Sequence, residues 1–345
     1  MTGETAPFNP AALDGEQLFE VTLRPTCFEQ FVGQLRVVEN LQLAIQAAQA
    51  RGEPLDHILF SGLPGLGKTT LAYLVARSMD AHLHETSGPA LLRAADLVGL
   101  LSNLAAGDLL FIDEIHRLSR PVEEVLYAAM EDYVVDVVLD QGPSARNLRL
   151  KLPRFTLIGA TTREGLLSAP FRARFGLQEK LDLYPADDLA VILHSSAEAL
   201  KVRLDAGAAQ YLAPRSRGTP RVANRFLRRV RDLAQERYGN AIDENVAREG
   251  LARLGVDENG LCAMDRRILE TLLRHGGGPV GVKTIAVSVG EEDRTIEEVY
   301  EPYLIREGYL RRTPQGRAVS ARTRELFPAL DAEGMEETGT LFPLA

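Results

Sequence analysis

Gly62-Leu63-Pro64-Gly65-Leu66-Gly67-Lys68-Thr69 carries the spacing G-x-x-x-x-G-K-[ST] between an apolar run and a helical one, the context in which that pattern binds a nucleoside triphosphate. Glycines let the backbone curl until several N–H groups face phosphate oxygens, and the following helix adds its positive end. Lys68 can reach the β- and γ-phosphates, and the Thr69 hydroxyl can ligate Mg²⁺. Further along, 109–114 reads Leu-Leu-Phe-Ile-Asp-Glu. Asp113 suits the metal shell and Glu114 the polarising of an attacking water. A third apolar run ends in Gly159-Ala160-Thr161-Thr162-Arg163, where a polar tip would lie beside the γ-phosphate; Thr162 is favoured over Thr161. Arg174, in Pro170-Phe171-Arg172-Ala173-Arg174-Phe175, fits an arginine finger, which stabilises transition-state charge in a neighbouring subunit's site and so requires an oligomer.

These groups need a frame. Apolar runs at 57–60, 109–112 and 155–158 alternate with helical stretches such as 69–78 and 121–131, the signature of an α/β domain with a mainly parallel sheet. After Tyr184 the strand signals stop, and 185–255 reads as consecutive helices. In it Pro220 opens a helix that carries Arg221, Arg225 and Arg228 on one face, an arrangement suited to a solvated or intersubunit face with Arg221 turned to the nucleotide. Helical stretches at about 264–275, 281–289 and 294–307 precede a hairpin at 309–319 that turns at Pro314-Gln315-Gly316, together a winged helix. The expected division is 1–184, a large ATPase domain; 185–255, a small helical lid; and 256–345, a winged-helix head with an acidic tail. Residues 1–22 read as a loose arm.

With 45% hydrophobic residues and 345 residues the chain can build more than one core. Its net charge of −9 argues against indiscriminate coating of nucleic acid. Cys27 and Cys262, the only cysteines, cannot form a zinc site alone. No apolar stretch suits a membrane span and no signal peptide is visible, so a cytoplasmic protein is expected. The head is acidic as a whole, yet 303–324 holds Arg306, Arg311, Arg312, Arg317, Arg322 and Arg324 against Glu307. Such a local basic strip is what phosphate binding without base reading requires.

Taken in this order, the stretches resemble the AAA+ ATPases, and within them the RuvB family of Holliday junction branch-migration motors. The likeness runs from about Leu23 to Leu326. It is carried by Leu23-Arg24-Pro25, Gly33-Gln34, 62–70, Thr86-Ser87-Gly88-Pro89, 111–118, Glu131-Asp132-Tyr133, 142–144, 159–163, 174–176, 217–221, 278–281, 299–304 and 312–314. The resemblance implies an ATP- and Mg²⁺-dependent DNA translocase, assembled as a homohexamer around duplex DNA, acting with RuvA and the resolvase RuvC in recombination and repair. It implies nucleotide contacts from Leu23, Arg24, Gly65, Lys68, Thr69, Thr70, Tyr184 and Arg221, with Glu131, Asp132 and Tyr133 beside the site and Arg174 as the finger. It implies DNA contacts from Arg312 and Arg317, and a hairpin within 134–152 that docks on RuvA. Leu63 stands where the family usually has Pro, and the acidic tail past Pro328 extends beyond the usual end. A clamp-loader subunit, or a winged-helix regulator switched by ATP, would share part of this pattern.

Overall fold

A computed structural model describes residues 22–138 and 147–328. The expected N-terminal arm, the Gly142-Pro143-Ser144 tip and most of the acidic tail lie outside the described residues. The chain divides into two compact units. One is Arg24–Leu183; the other is Met1–Leu23 with Tyr184–Ala345.

In the first unit, β1 (Ile58–Ser61), β2 (Leu83–Ser87), β3 (Leu109–Asp113), β6 (Thr156–Thr161) and β7 (Leu177–Lys180) form one parallel sheet ordered β2-β3-β6-β1-β7. The three inner strands are the three apolar runs of the sequence, buried on both faces as a parallel sheet between helices demands. The outer two show no comparable apolar run because they are edges. Leu83–Ser87 carries His84, Glu85 and Thr86, and in Leu177–Lys180 only Glu179 is buried.

Helices α1 (Leu35–Arg51), α2 (Lys68–Ser78), α3 (Ala94–Ser102), α4 (Arg120–Glu131) and the single turn α5 (Ala169–Arg172) flank the strands. In α4, Pro121 lies in the first turn, and Val122, Leu126, Ala129 and Met130 recur at helical spacing and are buried. They pack with Leu110, Ile112, Leu157 and Phe171 in one apolar cluster. Each of these side chains larger than Ala129 contributes about 1.5–3 kcal/mol by leaving water. Tyr133, with a left-handed backbone at φ 53, ends the run after α4 and leads into an antiparallel hairpin, β4 (Val134–Val138) with β5 (Asn147–Lys151).

The second unit opens with α6 (Ala186–Ala199), α7 (Ala206–Arg215), α8 (Pro220–Arg237) and α9 (Glu244–Arg253). The strands do not stop altogether: Arg203–Leu204 (β8) and Ala241–Ile242 (β9) form a two-residue parallel pair, too short to show a pattern in sequence. Then come α10 (Ala263–Arg274) and α11 (Val282–Val289). Next, α12 (Asp293–Thr295) runs through one π turn, Ile296–Tyr300, into α13 (Glu301–Arg306). Pro302, which lacks an N–H for the carbonyl four residues back, follows this widened turn. The wing is β10 (Leu310–Thr313) paired with β11 (Gly316–Val319), followed by α14 (Ala321–Leu326).

Candidate active site and basic wing

The phosphate loop leaves the sheet at the end of β1. Gly62, Gly65 and Gly67 have φ of 141°, 78° and 101°, a region that other residues enter only with strain. At Gly62 a Cβ would lie 2.7 Å from the Leu181 carbonyl oxygen, so glycine is also required by space. Lys68 is 7% exposed, and its Nζ donates to the carbonyls of Gly62 and Leu63, each at 2.8 Å. The loop thus holds its own cation over the curled backbone, and Thr69 and Thr70 follow in the first turn of α2.

The register sets the other groups beside it. Ser61 of β1 pairs with Thr161 of β6, and Ile112 of β3 pairs with Gly159 of β6. Neighbouring strands lie about 4.8 Å apart, so the tips of β3, β6 and β1 form one row. Asp113 accepts the Glu114 N–H through Oδ1 at 2.8 Å, leaving its second oxygen for another task. Glu114 has a left-handed backbone, φ 51. His116 lies behind it: its Nε2 is 3.5 Å from Glu114 Oε2, and its Nδ1 is 2.9 Å from Thr161 Oγ1. Thr161 Oγ1 also accepts the Arg163 N–H at 3.0 Å. Thr161 is therefore engaged within the fold, whereas Thr162 Oγ1 is buried with no protein partner. An orphaned hydroxyl at the tip of the central strand fits a ligand oxygen or a bound water. Thr69 and Asp113 offer oxygen donors, the ligand type that suits Mg²⁺.

Arg174 is turned toward its own unit. Its Nη2 meets Glu131 Oε1 at 2.9 Å, Nη1 donates to the Pro170 carbonyl at 2.7 Å, and its Cζ lies 4.4 Å from the Tyr127 ring centre. Asp132 is exposed, and Tyr133 stacks edge-on to Phe155 with centroids 5.9 Å apart. Arg24 covers Tyr73 of α2 at 4.8 Å. Gln34 forms a pair of hydrogen bonds with the backbone of Asp182, donating at 2.6 Å and accepting at 3.1 Å. Gly33-Gln34 was visible as a motif, but its work is done by a contact 148 residues away, which no local pattern announces.

Leu23, Tyr184 and Arg221 belong to the second unit. Tyr184 is buried and its N–H donates to the Gly218 carbonyl at 2.9 Å. Arg221, Arg225 and Arg228 are half-buried on α8, and each has an interaction within the fold. They do not form an open cationic stripe.

In the wing the arginines are not equivalent. Glu301 is 2% exposed and is clamped by Arg312 at 2.9 Å and by Arg317 at 3.0 Å; Arg317 also pairs with Glu297 at 2.7 Å. The Arg317 side chain is only 12% exposed, against 57% for Arg312. Arg317 is thus turned inward toward Glu301 and Glu297, while Arg312 stays more open. The basic strip is less basic than its linear count, because Glu297 and Glu301 fold against it. Arg311 is exposed.

Family profiles cover the described chain almost end to end. Residues 23–181 match the Holliday junction DNA helicase RuvB P-loop domain, 184–257 the RuvB AAA lid domain, and 258–327 the RuvB C-terminal winged helix domain. The chain belongs to the RuvB family. Holliday junction branch migration complex subunit RuvB of Myxococcus xanthus is 57% identical, covering 89% of this chain and 90% of its own length. The same-named protein of Methanoregula boonei is 57% identical, covering 86% and 89%. The solved RuvB Holliday junction branch migration motor of Thermotoga maritima superposes with a TM-score of 0.81 at 44% identity, covering 89% of this chain and 98% of that one. The RuvB family is one of nucleotide-binding AAA+ ATPases, so the P-loop geometry described above is that of an ATPase. Among the described residues no helix is long and apolar enough to cross a membrane.

Proposed function

We propose that the protein is the ATP-driven motor of Holliday junction branch migration, acting in DNA recombination and repair. The observation that carries this reading is the run of three RuvB profiles in one chain, with an ATPase site in the first unit and a wing in the second. The clamp-loader and regulator alternatives leave that run unexplained.

In the proposed cycle, Gly65, Lys68, Thr69 and Thr70 hold the phosphates of ATP, with Leu23, Arg24, Tyr184 and Arg221 completing the nucleotide's surroundings. Mg²⁺, when bound by Thr69 and Asp113, neutralises charge on the β- and γ-phosphates. Glu114 takes a proton from the attacking water, and Thr162 orients that water with its otherwise orphaned hydroxyl. Arg174 leaves Glu131 and Tyr127 to reach a neighbouring subunit's γ-phosphate, which requires an oligomer; by likeness to the family, that oligomer is a ring of six copies. Glu131, Asp132 and Tyr133 form the wall from which it swings. The hairpin of β4 and β5 docks on RuvA, and RuvC resolves the junction that the ring has moved, all in the cytoplasm. In the head, Arg312 and Arg317 meet the DNA backbone, and together they neutralise Glu301, whose charge would otherwise repel phosphate.

The test is ATP hydrolysis by the full chain alone, with a four-way DNA junction, and with junction plus RuvA. The rate should rise with each addition. A rate indifferent to junction and RuvA together would contradict the motor reading.

A further inference from the structure

Two of the most distinctive stretches of the sequence, 217–221 and 299–304, are only partly used by the nucleotide site and the wing, and they meet inside one unit. Arg217 is 4% exposed and Asp265 is fully buried. The guanidinium grips the carboxylate at two points, Nη1 lying 3.3 Å from Oδ1 and Nη2 bonding Oδ2. Its Cζ is 4.5 Å from the ring centre of Tyr303 and 5.9 Å from that of Tyr300. Nη2 also approaches Cys262 Sγ at 3.4 Å. Burial holds that thiol up to about 11, so it stays neutral beside the pair. Asp265 in turn accepts the Cys262 N–H at 2.8 Å and caps α10. The arginine of the lid is therefore plugged into the first turn of the head's first helix.

A buried ion pair is a poor source of stability, because desolvation cancels most of the attraction. Its strength is geometry: two planar groups and two rings admit few orientations. The placement of Arg217 gives that geometry a use. Arg217 has φ 56 and Gly218 φ 71, a tight left-handed turn. The Gly218 carbonyl accepts the Tyr184 N–H at 2.9 Å, Thr219 caps α8, and Arg221 lies in the first turn of α8. Thus the first residue after the division between units, the lid arginine assigned to the nucleotide, and the plug into the head are fixed to one turn. Neighbouring contacts brace it: Arg215 donates to the Glu258 carbonyl at 2.6 Å, and Tyr303 Oη donates to the Asn259 carbonyl at 3.2 Å.

We propose that Arg217 is a coupling residue: its grip on Asp265 makes lid and winged-helix head one rigid arm, so that nucleotide-driven movement of Tyr184 and Arg221 reaches the wing without slack. This rests on the motor reading above.

Two measurements test it. Spin labels at Glu198→Cys on α6 and Gln315→Cys on the wing, in a Cys27→Ser background, report the lid-to-head distance in full-length protein, with labelled chains diluted into unlabelled ones. The distance should be the same without nucleotide, with ADP and with a slowly hydrolysed ATP analogue. A nucleotide-dependent change of more than about one helical turn, 5.4 Å, would overturn the proposal. The second measurement uses the Arg217→Met/Asp265→Asn pair, which removes both charges but keeps an acceptor to cap α10. It should hydrolyse ATP at the normal rate while strand extrusion per ATP falls about tenfold, within the usual range of coupling between sites. Unchanged extrusion per ATP would overturn the proposal; should the pair fail to fold, the label distances decide alone. Lack of extrusion by the unsubstituted protein would count against the motor reading instead, and the distance test does not depend on it.

Discussion

Gly88 supports Glu114 from below: a Cβ at position 88 would lie 2.4 Å from the Glu114 carbonyl oxygen. Glu114 already has a left-handed backbone, so the pair fixes where its carboxylate begins. Gly88→Ala should therefore leave ATP binding intact and displace the carboxylate. A shift of about 1 Å in a catalytic group can cost on the order of 100-fold in rate. Nucleotide titration beside steady-state hydrolysis checks this; normal turnover would show that Glu114 tolerates the shift.

Arg174 offers a test of shared sites. In its own unit it rests on Tyr127 and Glu131, so Arg174→Ala should keep nucleotide binding. Loss of a finger acting in trans should cost about 10³–10⁵ in turnover. Mixed with Glu114→Gln protein, rings would contain sites with an intact Glu114 facing an intact Arg174, and activity should return in part. No recovery in demonstrably mixed rings would place Arg174's role within its own subunit.

The wing should bind backbone rather than sequence. Arg312→Ala should weaken binding to all duplexes alike and lower the slope of log affinity against log salt by about one. Arg317→Ala should in addition loosen the wing, because Glu301 and Glu297 lose an inward-turned arginine partner. Weakening by Arg312→Ala at some sequences only would indicate base reading.

His57 makes stability depend on pH. It is buried between the Leu157 N–H, which its Nδ1 accepts at 2.9 Å, and the Met130 carbonyl 3.2 Å from its Nε2. Burial is the main cause that depresses its pKa, and the neutral ring is the one both contacts need. The unfolded chain binds this proton at about pH 6.5 and the folded one only below that. The contribution is thus present above about pH 6.5 and is lost as pH falls through the depressed folded value. Denaturant unfolding at pH 7.5 and pH 5.5 should show that loss, and His57→Gln should flatten it. An equal pH slope in the variant would assign the effect to other groups.

Much of this is legible in the sequence. The three inner strands, the phosphate loop, the carboxylate pair and the three head helices with their wing all follow from local pattern, because burial on both faces and turn chemistry write themselves into adjacent residues. Edge strands Leu83–Ser87 and Leu177–Lys180 were not legible, since Glu179 alone among their residues is buried. Nor were the contacts that cross the chain: Gln34 with Asp182, His116 with Thr161, Arg217 with Asp265, and Glu301 with Arg312 and Arg317. Each joins a charged or polar residue to a partner set by tertiary packing. The inward turn of Arg317 shows the consequence, for a count along the sequence cannot see the carboxylates of the preceding helix folded against it.

The most direct measurement is strand extrusion from a synthetic four-way junction whose arms are fully homologous, with RuvA present. The full chain with ATP should release paired duplex products; with ADP, or as Lys68→Ala, it should release none above the RuvA-only level, because hydrolysis at the phosphate loop drives the movement. ATP-dependent products absent from the unsubstituted protein, or undiminished in Lys68→Ala, would contradict the account.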